Sequence, residues 1–238
     1  MASGRGGGAR RGVRPGLDRG IVVTAAVEAI DRHGAQGLTM RGLGQELGVE
    51  AMSLYRYVTG REDVLEAVVA RLLEGIPAAL DASLAQSWQG YLQTLAHGVR
   101  DLALEHPLAF PLIATRHPAA PWLRPPLRSI ELVEHFLRTL RGFGFTDEQL
   151  ANTYRSFSSF LLGHLLLEAA IRGARTSPVE EPVDEGGAQV PNADGRIELG
   201  PDSEVLRLRG KLSEDRGAEE FETSLESLLD RIELQIAQ

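Results

Sequence analysis

His164 and Glu168 stand four apart, a spacing that puts both on one face of a helix and offers an imidazole and a carboxylate to a metal ion or to each other. The other histidines, His33, His97, His106, His117 and His135, fall in no histidine–glutamate zinc motif. None of the 238 residues is cysteine, so there is no thiolate ligand, no disulfide and no thiol nucleophile. No serine sits in a nucleophile elbow, and no glycine-rich run follows a strand as a phosphate loop must. The chain is therefore expected not to be an enzyme and to carry no metal and no cofactor.

A second group of residues suits a different chemistry. Thr39, Arg41, Ser53, Tyr55, Arg56, Tyr57 and Arg61 bring hydroxyls and guanidinium groups into one short stretch, with Ala51 and Met52 among them. Hydroxyls and arginines hold phosphates. A helix with a small leading edge sinks into a major groove, where an arginine can fork onto guanine O6 and N7. Ala51 and Met52 lack a strong hydrogen-bonding group, so a thymine methyl is the most they can favour.

The elements that must position these residues follow from local signals. Thr39 reads as an N-cap, Leu43 and Leu47 share a face, and Gly48 stops the helix because glycine enters the left-handed conformation freely. Only Val49 and Glu50 separate it from a second short helix, expected over 51–57 with Leu54 and Val58 turned inward. Two short helices across so tight a turn cross steeply. Thr59-Gly60-Arg61-Glu62 reads as a capping box that starts another helix. Before the unit, a helix from Asp18 or Arg19 to His33 buries Val22, Ala25, Ala26, Ala29 and Ile30 and ends at Gly34.

This pattern resembles the DNA-binding domain of the tetracycline-repressor (TetR) family. The residues that carry the resemblance are Gly37-Leu38-Thr39, Arg41, Leu43, Leu47-Gly48-Val49, Leu54-Tyr55, Tyr57-Val58 and the charged run from Arg61, in unbroken spacing from about Gly20 to Val69. The resemblance implies an all-α protein with a three-helix helix-turn-helix head and a helical body that binds a ligand and dimerises. Together with the exposed face of the second helix, it implies DNA contacts from Thr39, Arg41, Ala51, Met52, Ser53, Tyr55, Arg56, Tyr57 and Arg61; family members place a groove-facing arginine at the position of Arg41, which makes Arg41 the candidate for the guanine contact.

The net charge of −8 looks wrong for a DNA binder, but residues 1–61 hold nine arginines, no lysine and five acids, a net of +4 that leaves −12 on the remainder. A basic head on an acidic body aims the basic end at phosphate. Residues 1–17 are glycine-rich, with Arg5, Arg10, Arg11 and Arg14, and two readings stay open for them: a disordered tail, or an arm in the minor groove. No apolar run reaches membrane-spanning length and no signal-peptide core is present, so a cytoplasmic protein is expected.

The body reads as helices throughout. One runs from Glu62 towards Pro77, one from Trp88 to Leu104, and one from Leu127 to Arg141. A long helix follows the capping box Thr146-Asp147-Glu148-Gln149 to about Arg172. Ser156, Ser159, Gly163 and Ala170 form a stripe of small residues along it. The proline- and acid-containing segment 174–203 reads as a mobile loop. A final helix carries the stripe Phe221, Leu225, Leu228 and Ile232. This order, with Trp88-Gln89, resembles the body of the tetracycline-repressor class, in which the long and last helices form a dimer interface. The tetracycline-binding members carry a ligand-holding histidine in a short helix; the matching stretch here, Leu108 to Ile113, has none, so neither tetracycline nor magnesium is carried over.

His97, Phe110, Trp122, Phe136, Phe157, Phe160 and His164 are the residue types that line small-molecule sites, against the plain alternative of core packing for each aromatic. The expected organisation is a basic arm over 1–17, a head over 18–62 and a body over 63–238. The expected function is a homodimeric repressor released from a palindromic operator by a small effector. A ligand-independent DNA-organising protein and an enzyme are the alternatives.

Overall fold

The computed structural model describes residues 17–76, 80, 87–174 and 203–237. The arm 1–17, but for Leu17, and the segment 174–203, but for its two end residues, lie outside them. Among the described residues there are ten helices and no strand. The chain divides into two compact units, Met1–Arg71 and Leu72–Gln238. Sequence placed the division after residue 62, at the start of a helix; the units divide near that helix's end.

The first unit contains α1 (Arg19–Gly37), α2 (Met40–Leu47), α3 (Ala51–Leu54) and most of α4 (Arg61–Leu73). Asp18 caps α1 by accepting from the Ile21 amide at 2.8 Å. The regular helix breaks at Gly34, whose φ of 74° only glycine adopts cheaply. The buried face of α1 is Val22, Val23, Ala26, Ala29 and Ile30, so Val23 replaces the expected Ala25, which is half-buried. Val23 carries more apolar surface for the core formed with Leu43, Leu54, Val58, Val64 and Val68.

The second unit is built around one long helix. It contains α5 (Trp88–Glu105), α6 (Phe110–Ile113), α7 (Ile130–Gly142), α8 (Asp147–Ile171), α9 (Glu204–Leu212) and α10 (Gly217–Ile236). α8 packs against α5, α6, α7 and α10. Its capping box forms as read: the Gln149 amide donates to Thr146 Oγ1 at 3.3 Å, and the Thr146 amide donates to Gln149 Oε1 at 2.9 Å. α7 starts at Ile130 rather than Leu127, because Arg128 is still in the loop, its amide held by the Ile113 carbonyl at 3.0 Å, and Ser129 then caps the helix.

On α10 the buried stripe is Phe221, Leu225, Leu229 and Ile232; Leu228 is half-buried. Two adjacent leucines satisfy a helical stripe equally well; Leu229 takes the buried position, while Leu228 edges a groove with Asn152, Ser156 and Ser159 of α8. The expected small-residue stripe of α8 does face outward in part: Ser159 and Gly163 are exposed. Leu167 and Ile171 continue along the helix, 70% and 85% exposed.

Candidate functional site

The first unit presents its donors on a framework closed by short-range bonds. Thr39 Oγ1 accepts from the Gly42 amide at 3.0 Å, which leaves its hydroxyl proton free to donate outward. Arg41 lies one step inside α2 and is exposed. Gly48, at φ 67°, ψ 31°, ends α2 in the left-handed conformation. The Val49 amide returns to the Gly44 carbonyl at 2.9 Å, and the chain enters α3 at once.

Gly44 was not singled out from sequence, and it sets how closely α3 approaches. A Cβ there would lie 3.0 Å from the Val49 carbonyl oxygen and 3.1 Å from the Ala51 amide nitrogen, both backbone. The available signal was a glycine inside a helical stripe beside Leu43, at the point where two helices must cross.

α3 is shorter than the expected 51–57. It closes at Leu54, and Tyr55 to Tyr57 form a turn in which the Tyr57 and Val58 amides both return to the Leu54 carbonyl, at 2.9 and 3.1 Å. Val58 is buried and Thr59-Gly60 follow, so the chain must bend inward before a longer helix can form. Met52 projects from the leading edge, 74% exposed. Tyr55 and Arg56 are exposed beside it, and Ala51, Ser53 and Tyr57 are half-buried.

Arg61 takes a different place from the one expected of a phosphate ligand. Its Nε donates to the Leu38 carbonyl at 2.9 Å and an Nη to the Ala35 carbonyl at 2.8 Å, so the guanidinium closes the C-terminal end of α1. The box at the start of α4 also differs: Asp63, not Glu62, accepts from the Thr59 amide, at 2.7 Å. Arg19 forks onto the same carboxylate at 2.6 and 3.1 Å and donates to the Tyr57 carbonyl at 3.0 Å. Hydrogen bonds from Arg19, and next from the Thr59 amide, pull Asp63 down to about 2.

The second unit encloses a cavity of about 40 Å³ among α5, α7 and α8, with Val99, Val133, Phe136, Phe157 and Leu161 in its wall. Phe136 is the hub of its aromatic side, with ring centroids 5.7 Å from Phe157, 5.9 Å from Tyr154 and 6.3 Å from Tyr91. The Tyr154 hydroxyl donates to the Pro125 carbonyl at 2.9 Å. Burial pushes that phenol up to about 12, against a smaller opposing pull from its hydrogen bond with Ser158. Burial likewise raises Tyr91, whose hydroxyl meets His135 Nδ1 at 3.1 Å.

The seven expected ligand residues do not come together. Phe136 and Phe157 line the cavity. Phe110 is fully buried and does not line it. Trp122 is 73% exposed, in a loop ahead of α7, where it edges an open groove with Arg124, Arg141 and Arg155. His97, Phe160 and His164 gather instead around Phe221 of α10, with ring centroids at 6.2, 5.8 and 5.3 Å. Sequence missed Tyr154 and Ser158 and the aliphatic wall, because an aliphatic residue facing a cavity and one facing the core look alike in a chain.

Glu168 turns from the metal reading to an ion pair: its Oε1 accepts from Arg100 at 3.0 Å. Among the described residues no group of three histidine or carboxylate side chains is placed to hold a metal.

Comparison with known proteins gives the same two-part division. Residues 22–68 match the family model described as bacterial regulatory proteins, tetR family, and residues 82–236 match the tetracyclin repressor-like C-terminal domain. The HTH-type transcriptional repressor DrrR1 of Streptomyces coeruleorubidus is 28% identical, over 96% of this chain and 82% of its own. The class D tetracycline repressor protein of Escherichia coli is 30% identical, over 90% of this chain and 93% of its own. A crystal structure of a possible TetR family regulator from Streptomyces coelicolor A3(2) superposes with a TM-score of 0.68 at 26% identity, covering 91% of this chain and 99% of the other.

Proposed function

This chain belongs to the tetR family of bacterial regulatory proteins, and from that premise we propose how its own residues carry out ligand-responsive transcriptional repression. It acts as a homodimer that grips a palindromic operator and lets go when a small molecule enters the second unit. The observation that carries this reading is the leading edge of α3. A 74% exposed Met52 and a small Ala51 open α3, and in the chain they lie between the exposed Arg41 of α2 and the exposed Tyr55 and Arg56. That is a groove-filling surface flanked by phosphate and base donors.

Arg41 reads a guanine. Ala51 and Met52 meet base edges through van der Waals contact. Thr39, Ser53, Tyr55, Arg56 and Tyr57 hold phosphates. Arg61 supports them indirectly, by fixing the end of α1. The dimer forms through α8 and α10, where Leu167, Ile171 and Leu234 are exposed apolar side chains in need of cover. A protein that acts on operator DNA works in the cytoplasm.

Release is a population shift. The effector favours a conformation in which the two heads no longer match successive major grooves, about 34–36 Å apart. Strong release requires it to prefer that state by about 10⁴-fold, or about 5.5 kcal/mol. A cavity of about 40 Å³ is small beside the roughly 300 Å³ and upward of drug-sized sites. Entry of such a ligand must therefore part α7 from α8, and that displacement couples binding to shape. The experiment is anisotropy of labelled DNA from beside the coding region. A palindrome bound at least about a thousandfold tighter than random DNA is expected. Equal affinity for both would sink the reading.

A further inference from the structure

We propose, resting on the reading that the cavity of the second unit is the effector's site, that this cavity selects neutral, largely hydrocarbon ligands and rejects charged ones. Among the described residues its wall contains no carboxylate, guanidinium, amine or imidazole group. The two polar side chains that reach it, Tyr154 and Ser158, are already satisfied. Ser158 bonds to the Tyr154 oxygen, and that hydroxyl donates to the Pro125 carbonyl at 2.9 Å. Both hydroxyl protons are thus engaged, and what these two side chains keep for a ligand is the lone pairs of neutral oxygens.

Three ionisable side chains of α5 and α8, His97, Arg100 and Glu168, are engaged with one another or with α10. Arg100 of α5 pairs with Glu168 of α8 at 3.0 Å, with its guanidinium 5.2 Å from the Phe221 ring of α10. His97 of α5 meets Glu222 of α10 at 3.1 Å. The two buried atoms of these groups without a partner, Arg100 Nε and Glu168 Oε2, both belong to the Arg100–Glu168 pair, and neither residue lines the cavity.

Energetics then decides the ligand class. An ion entering this wall gives up its hydration and meets no countercharge in exchange. A hydrocarbon surface of the same shape gains for every ångström squared that leaves water. The aromatic side built around Phe136 adds edge and face contacts that favour a ring. The cavity's size in this conformation further favours a small probe.

Toluene and benzoate make the test, because they share a ring and differ in charge. The full-length protein, with its leucine and valine methyls labelled with carbon-13, is titrated with each and followed by NMR. Toluene is expected to shift the methyls of Val99, Val133 and Leu161 saturably. Benzoate is expected to bind these sites at least about tenfold more weakly, since it would bury an unpaired charge. Equal or tighter binding of benzoate at these methyls overturns the proposal, and so does saturable toluene binding that leaves them unmoved. Val133→Phe, which fills the cavity, should abolish the toluene shifts. If that variant does not fold, nuclear Overhauser contacts from the toluene ring to the Val133 methyls in the unaltered protein decide the location. Operator anisotropy on the same samples keeps the two readings apart. Toluene held in the cavity without any change in DNA affinity supports the ligand class and counts against the effector reading.

Discussion

The Arg61 guanidinium donates from Nε to the Leu38 carbonyl at 2.9 Å, across 23 residues of chain. That single contact ties the start of α4 to the residue before Thr39, and so fixes where α2 begins. Arg61→Ala removes donors from the Leu38 and Ala35 carbonyls. It should cost about 1–3 kcal/mol of stability, the usual range for hydrogen bonds to a charged group in a half-exposed setting. The slope of log affinity against log salt should stay as it is. A slope shallower by about one unit would put Arg61 on a phosphate.

Gly44→Ala sets two effects against each other. Alanine gains about 1 kcal/mol of helix propensity over glycine. The added Cβ, however, sits 3.0–3.2 Å from the backbone of Val49 and Ala51, and backbone cannot step aside as a side-chain tip can. Overpacking of this kind costs about 1–3 kcal/mol, so the net change should be destabilising, with weaker operator binding as α3 is displaced. Urea denaturation decides the sign; a gain in stability would show that the turn can yield.

Asp63 predicts a dependence on acid. The Arg19 fork and the Thr59 amide hold its carboxyl at about 2 in the folded protein, below the ordinary 3.8 of an aspartate. A lowered carboxylate contributes stability that is fully present above about pH 4 and is lost as the pH falls towards 2. Arg19 is half exposed, so the contribution should be only about 1 kcal/mol. Asp63→Asn should flatten the stability curve between pH 4 and 2 relative to the unaltered protein. Parallel curves would mean that the fork onto Arg19 has no net weight.

Arg41→Ala should cost about 1–3 kcal/mol on the preferred half-site and relax selection at one base pair. Selection from randomised half-sites tests this. An equal loss on every sequence would make Arg41 a clamp rather than a reader. Replacing thymines of the selected site by uracil, which lacks the methyl, should weaken binding only where Ala51 or Met52 lies.

Gly163→Leu separates folding from assembly. Within the chain an added Cβ at Gly163 meets nothing within 4 Å. The variant should therefore fold with its helix content unchanged but sediment as a monomer, because only a second copy would be met there. A stable dimer would move the interface away from this part of α8.

Local chemistry is what made parts of this fold legible. Thr39, Gly48 and Thr146 act within four residues of themselves, so their caps and stops could be read directly. α3 was read too long because its end depends on Val58 turning into the core. Arg19 and Asp63 lie 44 residues apart, and nothing in either neighbourhood announces the other. Leu228 and Leu229 are the same residue type one step apart, and only the fold decides which is buried. The ligand residues were the least legible of all. Composition identified rings and imidazoles of the right type, but three of them went to Phe221 and one to open solvent.

The central place of α8 has a practical consequence for anyone who would retune this protein as a sensor. The same helix supplies Phe157 and Leu161 to the cavity and carries Gly163, Leu167 and Ile171 on its exposed side. If α8 also carries the dimer interface proposed above, libraries that vary it to accept a new molecule disturb assembly at the same time, and losses of output will be hard to interpret. Val99 on α5 and Val133 and Phe136 on α7 face the same cavity without belonging to that helix. They are the positions at which recognition can be redesigned while the scaffold is left alone.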